Sequence, residues 1–192
     1  MNAFNEKERK IIENKMLKEG FNLLKEGGLK NVNIDTITKK CFISKGSFYS
    51  FFPNKSEFIY AIMIYKRNEA KKKLDYFAKK GKLDFTALYN YLAWLVHTDV
   101  NIFTYLSKKE QKNLIKSWPP EYLNNNSKNN NTIEMLLSHL YKPKDNPNKE
   151  LFCNYMKLIA ISSCEKNIFI QSSYNEMIDK NIIEACLCIS DK

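Results

Sequence analysis

The chain has 192 residues, 44% hydrophobic and 13% aromatic, enough for one large domain or a small domain joined to a larger one, with a sizeable core. Only five Gly and five Pro punctuate it, so long elements are expected, helices above all. The net charge of +10, from 31 Lys and Arg against 21 Asp and Glu, suits nucleic acid or an anionic membrane surface, and equally a merely solvated basic surface; no apolar run reaches the roughly 18 residues of a membrane span.

The first ten residues, MNAFNEKERK, are charged and lack the apolar stretch of a signal peptide, so a cytoplasmic protein is expected. Apolar residues from Ile11 to Leu24 recur near helical spacing and predict a first helix over 6–26. Gly27-Gly28 stops it. Asn33 is a good N-cap for a short helix over 34–40, with Ile34, Ile37 and Cys41 on one face. Ser44 is the next cap, for a second short helix over 45–51 that Pro53 ends. Asn54 caps a long helix over 55–80. Two short helices joined by a tight turn make a helix-turn-helix, whose second helix enters the major groove of DNA.

The rest reads as helical too. Asp84 caps a helix with Phe85, Leu88, Leu92, Leu95 and Val96 on one face, a break is expected near 99–101, and a further helix over 104–117. Trp118-Pro119-Pro120 interrupts the chain. After Tyr122 and Leu123, the polar run from Asn124 to Asn131 is expected to be a mobile loop, with Thr132 capping a short helix of Ile133, Leu136, Leu137 and Leu140. Residues 142–149 read as a loop, and two last helices are expected over 147–171 and 174–190. No repeat and no strand-like alternation is seen.

The ordered set Leu23-Leu24, Gly28, Asn33-Ile34, Ile37, Ser44-Lys45-Gly46-Ser47-Phe48-Tyr49 and Phe52-Pro53-Asn54-Lys55-Ser56-Glu57 resembles the DNA-binding domain of the tetracycline-repressor-like (TetR) family of bacterial transcriptional regulators. The likeness covers about a quarter of the chain, from Ile11 to Phe58. It departs at Phe42, where the family usually has Gly in the turn; a left-handed conformation there would be strained. The resemblance implies an all-α homodimer, with an N-terminal three-helix helix-turn-helix domain (1–55) and a C-terminal helical ligand-binding and dimerisation domain (56–192). It also implies that the two last helices pair across the dimer, that a small molecule acts as effector, and that double-stranded DNA is the partner.

Within the recognition helix, Phe48 and Phe52 are four apart and should point inward. Lys45, Ser47 and Tyr49 then lie outward. Lys45 can donate to guanine O6 or N7 or rest on a phosphate, and Tyr49 can pack on a sugar or stay a half-buried surface residue. Gly46 lets the backbone come close. Lys55, at a helix N-terminus, is the expected phosphate clamp, with Ser50 and Thr36 as secondary contacts. The DNA-facing set that the resemblance implies is Asn33, Thr36, Ser44, Lys45, Gly46, Ser47, Tyr49, Ser50 and Lys55. Phe51 either lies on the DNA backbone or packs on the first helix. Residues 1–55 carry 11 basic against six acidic side chains, a higher charge density than the remainder. The denser run, 66–82, reads as a solvated face.

Tyr91, Trp94, Thr98 and Tyr105 form an aromatic face that suits either a ligand pocket or ordinary core. Tyr155 and Ile159, and Ile178, Ile182, Cys186 and Ile189, are apolar stripes fit for a four-helix dimer interface or for packing within the chain. The five Cys are odd in number, lack framework spacing and lie far in sequence from the two His, so free thiols, no metal and no cofactor are expected. No nucleophile–base pair, paired carboxylates or Gly-rich phosphate loop appears, so no enzyme and no catalytic residue is expected. Two alternatives remain: a DNA-binding regulator switched by a protein partner, and a basic helical protein on anionic membrane.

Overall fold

In a computed structural model, residues 4–78, 81–119 and 132–192 are described in full and residues 125–131 by backbone only. The described chain is all-α: α1 (Glu6–Gly27), α2 (Ile34–Cys41), α3 (Lys45–Phe51), α4 (Lys55–Ala78), α5 (Phe85–His97), α6 (Lys108–Ser117), α7 (Asn125–His139), α8 (Lys149–Cys164) and α9 (Gln171–Ile189). Single 3-10 turns stand at Gly28–Lys30, Ile102–Tyr105 and Lys166–Ile168. Among the described residues, β-structure is limited to two isolated bridges, Leu83 with Leu140 and Pro143 with Ser190. No described helix is long and apolar enough to cross a membrane.

The starts of these helices are written in their caps. Asn5 and Ser107 each close a capping box, with Glu8 and Glu110 reaching back. Asn33, Ser44 and Asp84 accept from backbone N–H groups of α2, α3 and α5. Gly28 ends α1 at φ 71°, a conformation glycine adopts without penalty.

Two compact units result, Met1–Arg67 with Tyr105–Leu123, and Asn68–Thr104 with Asn124–Lys192. The first therefore reaches past residue 55 and takes in α6 from far along the chain. Its centre holds Met16, Leu24, Ile37, Phe48, Phe58 and Ile62, all fully buried. α1 lies so close to α4 that a Cβ on Gly20 would stand 2.5 Å from Phe58 Cζ. Trp118 seals one edge: its ring meets Tyr60 edge-on at 5.4 Å and its Nε1 donates to the Ser56 carbonyl at 3.2 Å.

The second unit packs α5, α7, α8 and α9 with the end of α4 around Leu88, Leu92, Leu140, Ile178, Ile182 and Ile189. One expectation fails on its backbone. The polar run is helical from Asn125 onward, so Thr132 lies inside α7 and not at its start. Once Ile133 and Leu136 anchor a helix, each added turn needs only propagation, and weak formers such as Asn can be carried along. Tyr122, Leu123 and Asn124 lie outside the described residues.

Candidate nucleic-acid interface

The helix-turn-helix is assembled from caps and one strained residue. Asn33 Oδ1 accepts from the N–H groups of Asp35 (2.8 Å) and Thr36 (3.4 Å). α2 then closes through two bonds, Phe42 N–H to the Lys39 carbonyl and Ile43 N–H to the Thr38 carbonyl, a Schellman ending. That ending needs a left-handed residue, and Phe42 supplies it at φ 59°, ψ 44°. Its ring does not cap the turn. It is 88% exposed, with the Lys15 ammonium 4.8 Å from its centroid.

α3 starts at Ser44, whose Oγ accepts from Ser47 N–H at 3.0 Å and lies 2.8 Å from Ser47 Oγ. Phe48 and Phe52 are buried and meet Phe58 edge-on at 5.1 Å and 4.9 Å, the inward placement their spacing predicts. Anchored on that side, α3 turns Lys45, Gly46, Tyr49 and Ser50 to the outside, with Ser47 half-buried. Tyr49 stands edge-on against Phe48, leaving its far side open. Gly46 is informative. A Cβ there would meet only Ser44 Oγ at 3.8 Å, and no left-handed φ requires glycine. Among the described residues no close contact and no left-handed φ demands its bareness.

Other groups are placed differently from their sequence reading. The Lys55 ammonium is turned inward: it donates to the Leu29 carbonyl at 2.6 Å, and burial pushes its pKa below the ordinary lysine value. It holds the 3-10 turn after α1 to the start of α4. Phe51, open to two readings, packs on the first helix. The Arg9 guanidinium lies 4.2 Å above its ring and donates to the Ser50 carbonyl at 2.7 Å, and Phe4 stands 6.4 Å from it. Arg9 thereby ties the end of α3 to α1. Its distance of 41 residues from Ser50 left no signal in the sequence. Thr36 is half-buried, and Asn33 is exposed beyond its capping role.

In the second unit, Tyr91 and Trp94 are stacked at 6.5 Å, and the Lys73 ammonium lies 5.7 Å from the Trp94 ring. Tyr91 is buried, its hydroxyl donates to the Ala70 carbonyl at 3.4 Å, and burial pushes its pKa up to about 12. Thr98 spends its hydroxyl on the Trp94 carbonyl. Tyr105 does not join this face; it belongs to the first unit, edge-on to Phe21 at 6.0 Å.

The expected dimer stripes also need correction. Ile159, Ile178, Ile182, Cys186 and Ile189 are all buried in the core of the second unit, so a second chain cannot reach them. Helical spacing marks an apolar face without saying what covers it. Only Tyr155 of that set is partly open. The outward apolar residues are instead Leu151, Leu158 and Ile161 of α8, seven and three apart, with Ile168 and Ile170 just beyond. Among the described residues no cluster of His, Cys, Asp and Glu is placed to hold a metal ion.

Residues 16–62 match the family model for bacterial regulatory proteins of the tetR family. The match runs from within α1 into α4 and so contains the entire helix-turn-helix just described. Over those residues the chain is similar to the tetR-family regulatory proteins, and the α2–turn–α3 unit lies wholly inside the match. No curated protein matches it. Among solved structures, a TetR family protein from Vibrio parahaemolyticus is similar at 11% identity, with 94% of this chain and 99% of that chain covered and a TM-score of 0.45, a likeness too slight to bear on function.

Proposed function

We propose that this chain is a cytoplasmic, ligand-responsive repressor that binds a palindromic operator as a homodimer. The observation that carries the reading is the two-sided character of α3: Phe48 fixes one side in the core, while Lys45, Tyr49, Ser50 and the unforced Gly46 line the other. Such a helix suits a major groove, with Lys45 near base edges and Tyr49 and Ser50 along the sugar–phosphate chain. Lys55 acts here by bracing the head, not as a phosphate clamp.

The dimer face we assign is the exposed strip Leu151, Leu158, Ile161, Ile168 and Ile170, whose apolar side chains otherwise stand in water. Two α3 helices on a two-fold axis would enter successive major grooves about 34–36 Å apart. An effector beside the half-buried Trp94 would act only by binding one dimer state more tightly than the other, with a coupling of about 1–3 kcal/mol typical of such switches. α4 supplies residues to both units and is the element through which that bias passes.

The test is a gel-shift titration of the full chain on duplex DNA from upstream of its own gene, beside co-sedimentation with anionic phosphatidylserine vesicles. We expect saturable, salt-sensitive duplex binding with two chains per duplex. Vesicle binding without duplex binding would support the membrane reading and overturn this one.

A further inference from the structure

Asp35 stands in the first turn of α2 and Lys45 is the first residue of α3. Across the turn, Lys45 Nζ and Asp35 Oδ1 meet at 2.9 Å, with the two side chains 56% and 60% exposed. The pair sits beside Gly46, on the face turned outward by Phe48. An exposed pair of this kind adds little to stability. A carboxylate on α2 facing the leading edge of a DNA-reading helix is also repelled by the phosphates, and it cancels the charge of the lysine that would otherwise attract them. The N-terminus of α2 favours an acid at this place, but against DNA the carboxylate gains only where it meets a donor.

We propose that Asp35 and Lys45 act as one unit that reads a single G·C base pair in each half-site. The inference rests on the repressor reading above. In the major groove a G·C pair shows guanine N7 and O6 as acceptors and the cytosine N4 amino group as donor. Guanine O6 and cytosine N4 are hydrogen-bonded to each other, so they lie about 2.9–3.0 Å apart. The ammonium and carboxylate are held at that same separation, with opposite polarity. Lys45 Nζ can donate to O6 while Asp35 accepts from N4, and the ion pair itself stays intact. The match closes a ring of four polar groups. An A·T pair in the same orientation sets the adenine N6 donor against the ammonium, and a T·A pair, which offers O4 and N6 in the same order as O6 and N4, puts the thymine methyl where guanine N7 gives the ammonium its second acceptor. On phosphate alone the neutralised lysine gains little, so Asp35 lowers affinity for unrelated sequences and raises contrast between sites.

The experiment is selection of duplexes from a random-sequence library by the full chain, by Asp35→Ala and by Lys45→Ala, followed by anisotropy titrations on the wild-type consensus and on that duplex with one G·C pair replaced by A·T. We expect a palindrome with one G·C pair per half-site that both variants cease to require. Replacing that pair should weaken wild-type binding about ten- to hundredfold and Asp35→Ala binding less than threefold. Asp35→Ala should also bind unrelated duplexes more tightly than wild type. A palindrome whose base preferences are unchanged in Asp35→Ala overturns the inference and leaves the repressor reading standing. No enriched sequence for the wild-type chain overturns both.

Discussion

The two units use aromatic and apolar residues in opposite ways. In the first, a seven-residue helix is pinned by one ring, Phe48, and everything that faces away from it is polar or bare. In the second, α9 is 19 residues long and spends nearly every large apolar residue on its own core, while its neighbour α8 leaves Leu151, Leu158 and Ile161 outside. A short element can be read from its own chemistry because its caps and spacing leave few arrangements. A long amphipathic helix states that it has an apolar face and stays silent about whether its own chain or a second copy covers it.

The sharpest way to break the contrast is to damage each core. Phe48→Ala should cost about 3–5 kcal/mol and abolish DNA binding, because the recognition helix loses its only fully buried anchor. Ile182→Ala should cost about 2–5 kcal/mol in the second unit, read from the shift in a urea midpoint. If Ile182→Ala leaves stability untouched and instead splits a dimer, the assignment of α9 to the core is wrong.

A second pair of changes should separate folding from assembly. Ile161→Asp should change monomer stability by less than about 0.5 kcal/mol, since the side chain is 63% exposed, yet shift the chain to monomer in sedimentation. Lys55→Ala should cost about 1–3 kcal/mol by orphaning the Leu29 carbonyl, and any loss of DNA affinity should follow that instability. A loss of affinity with unchanged stability would restore Lys55 to the phosphate backbone.

The smallest effect concerns the turn. Phe42→Gly relieves a left-handed phenylalanine, costing about 1–2 kcal/mol, but gives the unfolded chain about 0.5–1 kcal/mol of extra freedom. A net gain of about 0.5–1 kcal/mol in the denaturation midpoint is expected, because the exposed ring gives up little besides its contact with Lys15.

These residues also mark where sequence reading succeeds. The caps Asn33, Ser44 and Asp84 fixed helix starts to the residue, since a side chain that satisfies an N–H two or three positions on is a local fact. Phe48 and Phe52 were legible for the same reason. Arg9 on Ser50 and Lys55 on Leu29 were not, because each joins segments distant in sequence whose approach only the packed head determines. Tyr105 shared an aromatic pattern with Tyr91 and Trp94, yet it folds into the other unit, where Phe21 awaits it. Asp35 looked like an ordinary acid in a first helical turn; its partner ten residues on became visible only with the turn in place.

The most direct test is a titration of the full chain and of Tyr49→Ala on a palindromic duplex selected by the wild-type chain, with circular dichroism recorded on both proteins. The account predicts two chains per duplex, half-site centres about 10 base pairs apart, and at least about a tenfold loss of affinity in Tyr49→Ala with its helical spectrum unchanged. Equal affinity of the two proteins would contradict it, because the outward face of α3 would then not be what meets DNA.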